Sequence, residues 1–120
     1  MVLELAHTRL RVYSLAREIV KKVYPITRFF PSEERYGLTS QARRAAVSIV
    51  LTVVEGCSRQ SKAERKRYFE IARGSLIELD TALDIAVDLD YIAKEQLVSL
   101  NQVLIEEFKI LSKLISASNA

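Results

Sequence analysis

Five cations crowd one short stretch, where Arg59, Lys62, Arg65, Lys66 and Arg67 run from a loop into the start of a periodic apolar segment. Cations in the first turn of a helix face the positive end of its dipole and cost roughly 0.3–1 kcal/mol each when exposed. Glu64 offsets only part of that cost. A sequence shaped by stability alone places acids there. The inversion therefore points to an anionic ligand, held by side-chain charge together with the free backbone N–H groups of a helix start. Nucleic-acid phosphate fits that description, with Arg73 further along the same segment and Arg43 and Arg44 upstream as additional candidate contacts. Ordinary solvated charge is the competing reading. For Arg43 and Arg44, ion pairing with Glu70 or Glu78 across a helix–helix contact is the preferred one. The tyrosines at 13, 24, 36, 68 and 91 fall mostly at core or boundary positions of the pattern rather than interleaved with the basic residues, so base stacking is not established by the sequence.

Other chemistries find little to work with. Nucleophilic catalysis needs a base within reach of the nucleophile, and the single histidine, His7, stands alone near the N-terminus. The single cysteine, Cys57, follows Gly56 at a turn, where a helix start can lower a thiol's pKa; a small residue filling a corner is the preferred reading. Asp80, Asp84 and Asp88 form an i, i+4 stripe, read as a solvated face because no His or Cys joins it to make a metal site. Glycines 37, 56 and 74 are too far apart for a phosphate-cradling loop. A binding module with no catalytic residues, metal or cofactor is expected.

The elements that must position these residues are helical. Apolar residues recur at spacings of three and four: Val12, Ala16, Ile19, Val23, Ile26 and Phe30; then Leu38, Ala42, Ala45, Ile49 and Val53; then Phe69, Ala72, Leu76, Leu79, Leu83 and Ala86; then Leu97, Leu100, Leu104, Leu111 and Leu114. The spacing predicts helices over about 10–30, 38–55, 62–89 and 93–116. Pro25 is expected to kink or restart the first. Thr39 or Ser40 should cap the second and Gly56 end it in a left-handed conformation. Ser61 and Glu64 should form a capping box for the third. Gly74, in mid-helix, should permit close approach of another backbone, with Ser75 hydrogen-bonding across that contact. Four amphipathic helices with short connections give an all-α, antiparallel up-and-down four-helix bundle. Length and composition, 120 residues with 49% hydrophobic, three Gly and two Pro, suit a single domain over 1–120.

A second apolar line on the second helix, Val47, Leu51 and Val54, lies behind its core face, so self-association through that helix is expected. Charge is divided: residues 41–73 hold eight Lys/Arg against three Asp/Glu, whereas residues 74–120 hold three against eight. A lone cysteine fits a reducing, cytoplasmic setting. The longest nearly apolar stretch, 45–54, is about half of the ~20 residues a membrane span needs, and no signal peptide is evident.

The runs Phe30-Pro31, Glu34, Tyr36-Gly37-Leu38, Gln41, Arg43 through Ile49, then Glu55-Gly56, Arg59, Ser61, Glu64, then Ala72-Arg73-Gly74-Ser75 and Glu78-Leu79 resemble the bacterial four-helix-bundle family named for 23S rRNA intervening sequences. The resemblance covers nearly the whole chain. It implies a ring-like homopentamer, in a family whose molecular function is largely unsettled. The bundle is also similar to the accessory variability protein of diversity-generating retroelements, which engages a reverse transcriptase and nucleic acid. Expected partners are thus a second copy of the chain, RNA or DNA, and a reverse transcriptase or ribosome-associated protein acting in a scaffold role, with no membrane. The chain departs from the pattern at Val50 to Val54, where relatives are more polar, at Pro25, and at Asp90, where Gly is common.

Overall fold

The computed structural model describes Leu3 and residues 10–117, and among these all regular structure is helical. Helix α1 spans Arg11–Thr27, α2 Leu38–Ser58, α3 Lys62–Asp88 and α4 Val98–Ala117, with single 3₁₀ turns at Ser32–Glu34 and Lys94–Leu97. Each long helix buries one apolar stripe because three-and-four spacing keeps those side chains on one side of a 3.6-residue helix. The α2–α3 contact is the most extensive; α1 packs on α2 and α4, and α4 closes against α3. The resulting body measures 43 × 31 × 24 Å. Nearly every predicted core position is buried, with Ile26, Leu38 and Leu114 packed at its margin.

Element ends depart from expectation in instructive ways. Pro25 sits inside the last turn of α1, and the helix continues through it only to Thr27. Neither Thr39 nor Ser40 caps α2. Its start is held instead by Glu34, whose carboxylate accepts from the Leu38 backbone N–H at 3.1 Å. Gly56 does not terminate α2, which runs on to Ser58. Its service is steric: a Cβ there would stand 2.6 Å from Phe69 Cε1, so the missing side chain is what lets the Phe69 ring enter. Gly74, expected to admit another backbone, faces open space within the chain. Ser75 beside it does bond across the helix contact, with its hydroxyl 2.9 Å from that of Ser48. Ser61 caps α3, its hydroxyl accepting from the Glu64 N–H at 3.3 Å. Asp90, after α3, takes φ 60°, the left-handed conformation that Gly adopts most readily.

Candidate nucleic-acid interface

The basic stretch at the start of α3 divides into tethered and solvated parts. Arg59 is tied down: its Nη2 donates to Glu55 at 2.6 Å and to the Tyr68 hydroxyl at 3.4 Å, and its guanidinium lies 5.1 Å from the Tyr68 ring centroid. The Tyr68 bond, reinforced by Glu55, holds its pKa above the usual value. Arg73, further along, donates to Ser112 at 3.2 Å and lies over Phe108. Between them Lys62, Arg65 and Arg67 are exposed and Lys66 is half-buried. Among the described residues, Arg65, Lys66 and Arg67 form no ion pair. They follow Glu64, the acid of the first turn of α3.

A second cationic feature forms where α1 and α2 meet. Arg43, expected to pair with Glu70 or Glu78, does neither, and nor does Arg44. Instead the Arg43 guanidinium lies 4.7 Å from the Tyr24 ring centroid, and its Nε donates to the Thr27 hydroxyl at 2.8 Å. Thr27, only 2% exposed, donates in turn to the Tyr24 carbonyl at 3.0 Å. Arg35 lies 5.5 Å from the ring of Tyr36, which is 87% exposed. Tyr24, Arg35, Tyr36, Arg43 and Arg44, together with Val47 and Leu51, border one concavity of about 710 Å³, and no carboxylate lines it. Sequence reasoning placed Arg43 and Arg44 among the candidate contacts but missed their association with Tyr24, Arg35 and Tyr36. A periodicity reading has no means of joining positions on two helices and a loop.

On the anticipated self-association face, Leu51 is 60% exposed, while Val47 and Val54 are half-buried, Val54 against the core. Elsewhere Ile77, Ile105 and Phe108 border an open groove between α3 and α4, beside Asp80 and Asp84. Burial pushes the Cys57 thiol up, away from the reactive thiolate. Asp80 is raised by burial and by Asp84, and among the described residues no group of three or more His, Cys, Asp or Glu could hold a metal ion. His7 lies outside the described residues. One side chain escaped the sequence reading altogether: Glu107 on α4 is fully buried, with neither carboxylate oxygen hydrogen-bonded among the described residues. Its signal was present, since it stands between Leu104 and Leu111 in the apolar rhythm. No helix among the described residues is long and apolar enough to cross a membrane.

A sequence model of the 23S rRNA-intervening sequence protein family matches residues 8–113. Among solved structures, the chain is similar to a protein of unknown function from the S23 ribosomal protein family of Bacteroides thetaiotaomicron. The two share 25% identity at a TM-score of 0.78, over 87% of this chain and 97% of that one. No curated protein matches the chain.

Proposed function

The chain belongs to the 23S rRNA-intervening sequence protein family, and from that premise we propose that it is a non-enzymatic, cytoplasmic module of a single up-and-down bundle that binds RNA through the start of α3. The observation carrying this reading is the trio Arg65, Lys66 and Arg67, which follows the first-turn acid Glu64 in α3 and has no ion pair among the described residues. A phosphate backbone meets three cations there that no carboxylate of the described residues neutralises. Arg59 and Arg73, both engaged within the chain, play a lesser part. Copies associate into a ring whose pentameric number is supplied by the resemblance alone. The test is duplex RNA titrated at several salt concentrations. Affinity should fall steeply with salt, and each Lys or Arg removed from the trio should cut the log–log slope by about one unit. Salt-independent binding, or none, overturns the reading.

A scaffold role is favoured by a different observation, the groove bordered by Ile77, Ile105 and Phe108, each 40% exposed or more, on the acidic half of the chain. In that reading a protein partner such as a reverse transcriptase is captured there and nucleic acid is touched incidentally. Charge reversal at Arg65 and Lys66 that leaves partner capture intact would favour it over the first.

A further inference from the structure

We propose that the concavity between α1 and α2 takes unpaired nucleotides of single-stranded RNA, stacking a base on Tyr36 and another on the Arg43 guanidinium while Arg35 and Arg44 meet the phosphates. The inference rests on the reading that the chain binds RNA, and adds a second contact surface of different specificity.

Arg43 carries the argument first. Its guanidinium carbon lies 4.7 Å from the Tyr24 ring centroid, and its Nε is spent on Thr27, a buried hydroxyl itself fixed by the Tyr24 carbonyl. That leaves the terminal nitrogens of a positioned, half-buried cation with no protein partner among the described residues, and no acid lines the recess to neutralise it. Cations in burial normally find a carboxylate; one held in place without it is prepared for an anion from outside. A planar guanidinium with one face on a tyrosine can also accept a base on the other, which an ammonium cannot do.

Tyr36 supplies an independent observation. A tyrosine 87% exposed, whose one ring contact among the described residues is the neighbouring Arg35, contributes little to the fold. It stands on a segment that is nonetheless held firm, because Glu34 accepts both from Leu38 N–H and from the Tyr91 hydroxyl at 2.7 Å. A rigidly presented, solvent-facing aromatic between arginines is the arrangement that single-strand binders use, since every base offers a π-face and stacking tolerates sequence. A duplex keeps its base faces to itself. The hydroxyls of Thr39 and Ser40 on the same wall provide partners for a ribose 2′-OH. At about 710 Å³ the recess is of small-ligand size, suited to one or two nucleotides.

The experiment compares a fluorescein-labelled, non-self-complementary 12-nucleotide RNA with the same strand annealed to its complement, by anisotropy on the full chain. Tyr36→Ala should weaken single-strand binding about tenfold, the order expected for loss of one stacked base, and leave duplex binding unchanged; Tyr36→Phe should restore most of the single-strand affinity. Arg43→Lys should weaken single-strand binding without altering its salt slope, because charge is kept and only the plane is lost. Unchanged single-strand affinity in both Tyr36→Ala and Arg43→Lys overturns the proposal. So does a fall in solution mass for Tyr36→Ala, which would give the recess to a second copy. The α3 reading fails separately: Arg65→Ala with Lys66→Ala would leave duplex binding intact, whatever Tyr36 does. Absence of binding to either probe overturns both.

Discussion

The seam between α2 and α3 and the seam that α4 lays against its neighbours follow one apolar rhythm, yet the hydroxyls inside the first bond each other while a carboxylate buried in the second has no such partner among the described residues. Between α2 and α3, Gly56 leaves the volume that the Phe69 ring fills, and the Ser48 and Ser75 hydroxyls bond each other. On α4, Glu107 takes a slot between Leu104 and Leu111 and finds no donor among the described residues. Arg11, which would help it, is engaged bidentately with Glu106 at 2.6 and 2.9 Å. Desolvation, with Glu106 adding and Arg11 opposing, pushes the Glu107 carboxyl up to about 8. The contrast teaches that three-and-four spacing decides which residues go inside, while satisfaction inside is decided by residues remote in sequence.

The contrast can be broken most forcefully at Glu107. Its unfolded-state carboxyl ionises near 4.5 and its folded-state one near 8, so the folded chain binds more protons between those values. Stability should therefore be greatest below the lower value, fall as pH rises through the window by on the order of a few kcal/mol, and level off above it. Denaturant melts from pH 4.5 to 8.5 should show that slope, and Glu107→Gln should flatten it. An unchanged slope in the variant would put the origin elsewhere. In the α2–α3 seam, Gly56→Ala should cost about 1–3 kcal/mol by forcing the Phe69 ring to move, read as a lower denaturant midpoint. Ser48→Ala and Ser75→Ala should each cost about 1 kcal/mol, with the double variant losing less than the two singles together; strict additivity would mean the hydroxyl pair contributes nothing. The smallest effect sharpens the comparison from outside. Gly74→Ala, with open space before it, should stabilise α3 by about 0.5–1 kcal/mol, and a loss instead would place another copy of the chain against that face.

Helix positions were legible because burial and periodicity are local. The predicted 62–89 became Lys62–Asp88, and 93–116 resolved into a 3₁₀ turn and Val98–Ala117. The ends were less so, since a cap is chosen by geometry: Glu34, four residues upstream, takes the first free N–H of α2, that of Leu38, in place of Thr39 or Ser40. The density of positive charge at 59–67 was plain in the sequence; its partition was not, because whether Arg59 meets Glu55 and Tyr68 depends on how the α2–α3 corner turns. The α1–α2 concavity was invisible for the same reason. Tyr24 and Arg43 become neighbours only after two helices fold back on each other, and Arg43 looked like one half of an ion pair until Thr27 was seen to hold it.

Glu34 acts as a cross-tie between distant corners of the chain. One oxygen fastens the entrance of α2 and the other takes the hydroxyl of Tyr91, beyond α3, whose ring lies 5.9 Å from that of Phe30. The Leu38 bond first and the Tyr91 bond second hold its carboxyl below the usual range, so acid must go further than usual to undo the tie. Once protonated, it would slacken both corners together, and the arginine–tyrosine pair mounted beside it would lose its footing at the same moment.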